Sequence, residues 1–166
     1  MARQVLHDSL KKLVKTGDLE KMMAYYNGED GLEIIAPKSK DGFPVMQTMV
    51  AEIGSGNLSG KMYKGYIPGW GNLTGPEALE HMMQKASENG GDFDPSTGFD
   101  YTQLISKFAM GAVFYNQAVN NYLGSKMEIG QKPNNKPYKD GAYYTGKEHS
   151  WDEAFGYWGA PAHSLT

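Results

Sequence analysis

The sequence predicts an all-α fold, a helical bundle whose helices are joined by long glycine-rich loops. Nearly every apolar segment repeats its hydrophobic side chains every three to four residues, which is the period of a helix. The 21 glycines of the 166-residue chain fall mostly between those segments, where they end helices and form turns. A chain of this length predicts a single domain over residues 1–166, large enough to bury a hydrophobic core.

Local start and stop signals divide the first half of the chain into short helices. Gly17 ends the first helix, Asp18 caps the second, and Thr74 precedes a Pro76-Glu77 pair that is typical of a helix start. Residues 32–36 form the one apolar run that fits a strand better, and the sequence offers no partner for it. Helices are therefore predicted over residues 2–15, 19–26, 43–53 and 76–87.

Residues 99–123 form the longest periodic segment and predict a central helix that is apolar on most sides. The other predicted helices are short, so part of this helix would lack cover within one chain, and uncovered apolar surface marks interfaces. The sequence therefore predicts a homo-oligomer, or another chain that covers residues 99–123. The broad apolar face comprises Leu104, Ile105, Phe108, Gly111, Ala112, Tyr115, Val119, Tyr122 and Leu123.

Residues 148–159 carry the densest chemistry and predict an amphipathic helix after a long polar loop over residues 125–147. On a helical wheel, His149, Asp152 and Glu153 share one face with Gly156 and Tyr157. The opposite face holds Trp151, Ala154, Phe155 and Trp158. We expect Trp151, Phe155 and Trp158 to be buried against the 99–123 helix, with the polar face in a pocket roofed by Tyr138, Tyr143 and Tyr144.

The polar face of this helix has two interpretations. His149 and Glu153, four residues apart, could hold iron or zinc together with Asp152 if another helix completes the site. The missing ligands could come from Glu77, Glu80 and His81, although a surface Glu–His pair explains those residues more simply. Alternatively, His149 pairs with a carboxylate or an amide, and the two carboxylates hold the tyrosine-rich loop.

Aromatic side chains form a second set of candidates. Tyr143, Tyr144, Trp151 and Tyr157 could bind a flat ligand by stacking, aided by Trp70, Tyr138 and Trp158. Aromatic residues at helical spacing are more often part of a core, and packing of the tyrosine-rich loop on the last helix explains them without a ligand.

Several functional classes lack support in the sequence. The chain has no cysteine, which excludes disulfides, iron–sulfur clusters, thiolate zinc sites and cysteine nucleophiles. It contains no Gly-x-Ser-x-Gly, His-Glu-x-x-His or phosphate-loop motif, so no catalytic residue is assigned and a binding role is favoured over an enzyme. A net charge of −3 without a basic patch argues against nucleic acid. No transmembrane segment and no signal peptide is predicted in this chain.

Three motifs carry a resemblance to a known family. They are Ile-Ser-Lys-Phe-Ala-Met-Gly-Ala-Val-Phe-Tyr at 105–115, Tyr-Tyr-Thr at 143–145 and Glu-His-x-Trp-Asp-Glu-Ala-Phe-Gly-Tyr at 148–157. From about residue 60 onward, the chain resembles the bacterial family called domain of unknown function 4856, which is distantly similar to imelysin-like proteins. The resemblance implies an all-α fold, export to the periplasm or cell envelope, and no established chemistry.

Imelysin-like proteins are associated with iron uptake and carry a Gly-x-His-x-x-Glu motif. Here Gly146 lies three residues before His149, and Asp152 stands at the glutamate position with Glu153 next to it. The resemblance implies a non-enzymatic binding protein linked to uptake of iron or another metal at the bacterial cell envelope. The alternative is a structural or protein-interaction module that self-associates without a metal. Family members are usually longer, which implies either the first part of a longer domain or a short form.

Overall fold

A computed structural model describes residues 2–36 and 47–159 of the chain. The described part is mostly helical and includes one small two-stranded sheet, in agreement with the helical class expected from the sequence. None of its helices combines the length and the apolar character that crossing a membrane requires. The chain divides into two compact units, Met1–Ala112 and Val113–Thr166, while the single domain over residues 1–166 stays a prediction.

The first unit opens with two helices whose ends follow from local sequence. Helix α1 spans Ala2–Leu13 and is followed by one 3₁₀ turn, Val14–Thr16. The turn ends at Gly17, which has the left-handed conformation with φ 67°. Helix α2 spans Leu19–Asn27; the carboxylate of Asp18 accepts a hydrogen bond from the amide of Lys21 at its start. Gly28 ends α2 at φ 62°, a conformation that costs glycine little. Both predicted helices are confirmed.

The predicted helix over residues 43–53 is wrong in its described part; residues 43–46 lie outside the described residues. Met49 instead forms an antiparallel bridge with Glu33, and the Ile34 amide donates to the Thr48 carbonyl over 2.7 Å. The run at 32–36 therefore has a partner that the sequence did not reveal. Glu52 accepts hydrogen bonds from the amides of Thr48 and Met49 at 2.7 and 2.9 Å, so only a single 3₁₀ turn, Val50–Glu52, follows.

Helix α3 spans Gly75–Glu88 and begins where the sequence predicts. Strands β1 (Phe93–Asp94) and β2 (Phe99–Asp100) then form an antiparallel hairpin after α3. Asp94 organises the turn by accepting hydrogen bonds from the hydroxyls of Ser96 and Thr97 at 2.6 and 2.8 Å. Helix α4, Tyr101–Ala109, follows directly and is capped by Asp100.

Helices α1 to α4 bury their apolar faces together in the first unit. The two tyrosines of α2 differ in their hydrogen bonding. The Tyr25 hydroxyl donates to the Glu33 carbonyl over 2.7 Å, whereas the Tyr26 hydroxyl is buried without a partner among the described residues. Burial raises the pKa of Tyr26. Fully buried large side chains of this unit include Leu6, Leu10, Val14, Met22, Tyr26, Leu58, Leu79, Met82, Met83 and Ile105.

A π-helical segment, Met110–Tyr122, continues the chain from α4 without a break. Its winding is visible at its end, where the amide of Leu123 donates to the carbonyl of Ala118, five residues earlier, over 2.9 Å. A helix wound this way has between four and five residues per turn. The buried positions follow that wider period and are Ala112, Val113, Gln117, Ala118 and Tyr122.

The wider period changes the apolar face predicted for residues 99–123. Ile105 and Ala112 are buried as expected, but Tyr115 is 58% exposed and Leu123 is 40% exposed. A wheel at the α-helical period places these two side chains inward, and the π winding rotates them outward. The second unit contains the rest of this segment, a 3₁₀ turn at Ser125–Met127 and helix α5, Gly146–Trp158.

The unpartnered Tyr26 hydroxyl yields a stability prediction. Tyr26→Phe removes a buried polar atom that makes no hydrogen bond, so we expect the free energy of unfolding to stay constant or rise by about 1 kcal/mol. Tyr25→Phe is the matched control, because it deletes a hydrogen bond that is made and should cost about 1 kcal/mol. Urea denaturation of both variants measures the difference, and a larger loss for Tyr26→Phe than for Tyr25→Phe would contradict this assignment.

Candidate functional site

Helix α5 starts at a fully formed capping box. The Glu148 amide donates to the Thr145 hydroxyl oxygen over 3.2 Å, and the Thr145 amide donates to the Glu148 carboxylate over 2.7 Å. The hydrogen bond from the Thr145 amide holds the pKa of Glu148 below its ordinary value. The Thr145 hydroxyl also donates to Asn134 over 2.8 Å, which ties the helix start to the preceding loop.

The packed face of α5 consists of Gly146, Ser150, Ala154 and Tyr157. Ala154 and Tyr157 form a small core with Ala118 and Tyr122 of the π-helical segment, against which Phe114 and Val119 also pack. The rings of Tyr157 and Tyr122 stack with their centroids 5.5 Å apart. Gly146 packs closely on the preceding loop, since a Cβ atom there would lie 3.1 Å from the Pro133 side chain, which is tighter than an ordinary contact.

Three of the large aromatic residues of α5 are predicted to be buried, but the structure exposes them. Trp151, Phe155 and Trp158, here called the aromatic stripe, are 64%, 54% and 74% exposed. Tyr157, which the helical wheel grouped with the polar residues, is the buried anchor instead. The reason is that both flanks of this helix carry aromatic side chains, so the wheel alone does not decide which flank faces the core. Small residues at 146, 150 and 154 are the signal that marks the packed face.

His149 lies outside both surfaces and packs against the rings of two tyrosines, which themselves stack with their centroids 6.0 Å apart. Its ring centroid is 4.2 Å from that of Tyr138 and 5.6 Å from that of Tyr144. The amide of Tyr138 donates to the carbonyl of Tyr144 over 2.8 Å, so the two rings belong to one closed loop. This part of the expected tyrosine roof is present, but Tyr143 is fully exposed and covers nothing.

Of the three proposed metal ligands, two approach each other. Nε2 of His149 lies 3.8 Å from a carboxylate oxygen of Glu153, one helical turn away, while Asp152 is exposed. Across residues 2–36 and 47–159, no group of three or more histidine, aspartate or glutamate side chains is placed to hold a metal ion. The two side chains can form an ion pair when the imidazole is protonated, and the metal site stays a prediction.

The second set of candidate ligands has structural partners. Glu77 accepts hydrogen bonds from the amide and hydroxyl of Thr74 at 2.8 and 2.6 Å, and these bonds lower its pKa. His81 packs edge-on against Trp70, with ring centroids 6.2 Å apart. Glu77 therefore fixes the start of α3 by bonding to Thr74, rather than forming the surface pair with His81 that the sequence suggested.

The two faces of α5 predict different costs of truncation. Tyr157→Ala removes a buried ring from the small core and should lower the free energy of unfolding by about 3–4 kcal/mol. Trp158→Ala removes a mostly exposed ring from the same helix turn and should cost less than about 1 kcal/mol at a concentration where the protein is monomeric. Chemical denaturation distinguishes them, and equal losses would contradict the observed orientation of the helix.

The capping box predicts a pH dependence. Because the pKa of Glu148 is lowered in the folded state from an ordinary value of 4.5, its contribution to stability is present above that value. The contribution disappears as the pH falls through the lowered pKa. We expect Glu148→Gln to reduce the melting temperature at pH near 7, and the difference from wild type to shrink at strongly acidic pH. A difference that is constant over this range would contradict the prediction.

The family relationship rests on the part of the chain that holds this site. The profile of the family described as Domain of unknown function (DUF4856) matches residues 82–166. These 85 positions are just over half of the 166-residue chain and include α4, the π-helical segment and α5. No curated protein and no solved structure matches the chain. The chain therefore belongs to the domain of unknown function 4856 family.

Proposed function

We propose that this protein is a non-enzymatic binding and assembly protein, and that the aromatic stripe of α5 docks on the same stripe of a second copy. The observation that carries the proposal is the exposure of Trp151, Phe155 and Trp158 on one face of a helix whose other face is already packed. Large aromatic residues seldom stay in water without a function, and they are the residues that dominate interfaces between proteins.

The size of the stripe supports a protein partner. From typical areas of aromatic side chains, the exposed parts of the three rings amount to roughly 450 Å². An apolar patch of this size is as large as the largest patch on a typical monomer, which is often functional, and a standard interface buries about 800 Å² on each partner. The stripe thus supplies about half of one side of such an interface, and the rest of the same helix face can add to it.

The spacing of the three residues suits a pair of identical helices. Residues 151, 155 and 158 follow the alternating four- and three-residue steps of a helix–helix seam. In an antiparallel pair with its twofold axis at Phe155, each Trp151 packs on Trp158 of the other copy. Such an interface is self-complementary and closes after two copies.

Charge selects the antiparallel orientation. Glu148 and Asp152 are exposed and lie beside the stripe on the same helix. A parallel pair would place each carboxylate opposite its own copy, which is unfavourable. The antiparallel pair places Asp152 across from Trp158 instead and keeps the like charges apart.

The second candidate is the metal-binding role in iron or zinc uptake at the cell envelope that the family resemblance implies. The approach of His149 to Glu153 at 3.8 Å favours it, because one histidine and one carboxylate a helical turn apart are two of the ligands such a site needs. The remaining ligands would come from a second chain or from a substrate that carries its own donors.

The dimer proposal predicts a change in oligomeric state. Wild-type protein at tens of micromolar should scatter light with the mass of two chains. Replacing Trp151, Phe155 and Trp158 together by alanine should give the mass of one chain, while the folded helical signal in circular dichroism is retained. Tyr143→Ala is the matched control, because Tyr143 is a fully exposed aromatic residue outside the stripe, and it should leave the dimer intact.

Two outcomes of this experiment would overturn the proposal. The first is a wild-type protein that never exceeds the mass of one chain at any concentration up to its solubility, which would leave the stripe to a different partner. Equal loss of the dimer in the triple variant and in Tyr143→Ala would place the interface elsewhere.

The metal candidate predicts a separate result. Protein purified without chelator should contain iron or zinc, and chelator should lower the melting temperature of wild type. His149→Ala should remove both the metal and the response to chelator, whereas His81→Ala should change neither. A melting temperature that is indifferent to chelator and to added iron or zinc, with no metal in elemental analysis, would eliminate this candidate.

A further inference from the structure

We propose that the first unit carries a binding site for a small phosphorylated molecule, in a cleft between α1 and the start of α4. The cleft has a volume of about 400 Å³, which is within the range of pockets that bind metabolite-sized ligands. Its described lining consists of Asp8, Lys11, Lys12, Lys15, Ala36 and Thr102. This site is independent of the aromatic stripe, which belongs to the other unit.

The charge of the lining points to an anion. Three lysines and one aspartate give the cleft a net positive charge on a chain whose overall charge is −3. Nζ of Lys15 forms an ion pair with a carboxylate oxygen of Asp92 at 3.6 Å, whereas Lys11 and Lys12 have no ion pair within the described ranges. Two ammonium groups from adjacent residues of one helix therefore remain available to a ligand, and lysine binds phosphate as a strong point charge.

Thr102 gives the cleft a buried polar residue. Its side chain is only 4% exposed, and its hydroxyl has no hydrogen-bond partner among the described residues. A buried hydroxyl without a partner costs free energy, and Thr102 forms part of the cleft wall. Thr102 is also the second residue of α4, so the cleft lies beside the first turn of that helix.

Asp8 narrows the class of ligand. One of its carboxylate oxygens lies 3.2 Å from Nδ1 of His7, so the carboxylate is held at the cleft wall. It repels a bare anion but accepts hydrogen bonds from hydroxyl groups. The lining therefore suits a molecule with a phosphate at the lysine end and hydroxyl groups at the Asp8 end, as in a sugar phosphate.

The experiment is a titration of the full chain with three probes at low ionic strength: ribose 5-phosphate, inorganic phosphate and ribose. We expect ribose 5-phosphate to bind most tightly, inorganic phosphate more weakly and ribose not at all. The amide resonances of Thr102 and Ala36 should shift on binding, which locates the ligand. Added salt should weaken the binding.

Matched lysine variants test the site. The double variant Lys11→Gln and Lys12→Gln should lose at least about tenfold in affinity, because two charge-assisted contacts are removed. Lys21→Gln is the control, because the Lys21 side chain is as exposed as that of Lys15 but lies on another helix and pairs with Asp18. The affinity of this variant should stay within about twofold of wild type. These lysines are at the surface, so both variants should keep the melting temperature of wild type.

Three outcomes would overturn the proposal. The first is no binding of ribose 5-phosphate at tens of millimolar. The second is an equal loss of affinity in the Lys21→Gln control, which would indicate attraction to general surface charge. The third is binding of inorganic phosphate as tight as that of ribose 5-phosphate together with an unchanged affinity in Asp8→Asn, which would remove the hydroxyl-binding end of the site.

Discussion

The stacking of Tyr157 on Tyr122 is the contact on which the second unit depends. The other residues on the packed face of α5 are small, so the rotation of the helix about its axis must keep this one large ring buried. The same rotation directs the aromatic stripe outward and places the His149 ring against two tyrosines of the preceding loop. The residues that α5 exposes are thus fixed by the residues that it buries.

Local signals explain what the sequence predicts well. The starts of α2, α3 and α5 depend on single side chains, Asp18, Glu77 and Thr145, that bond to backbone amides or hydroxyls within three residues. Such contacts join residues that are close in sequence, so a short stretch of sequence is enough to predict them. The bridge between Glu33 and Met49 joins positions sixteen residues apart, and a local pattern does not reveal it. The helix predicted there is wrong for that reason.

The candidate site was predicted less well than the fold. The helical wheel correctly identified α5 and the proximity of His149 to Glu153, but it assumed that the largest rings are the buried ones. The π-helical winding of Met110–Tyr122 also cannot be read from a hydrophobic period of 3.6 residues. It turns Tyr115 outward, whereas Tyr122, which also belongs to the predicted apolar face, packs against α5.

The absence of cysteine from the chain allows a direct test of the central claim, that two copies meet through the aromatic stripe about an axis at Phe155. Under mild oxidation, Phe155→Cys should form a disulfide-linked dimer, since facing residues at a helix–helix axis approach within the reach of a disulfide. Tyr143→Cys, fully exposed but outside the stripe, should remain largely monomeric. Non-reducing electrophoresis gives the result. Equal cross-linking of the two variants, or none at position 155, would contradict the account.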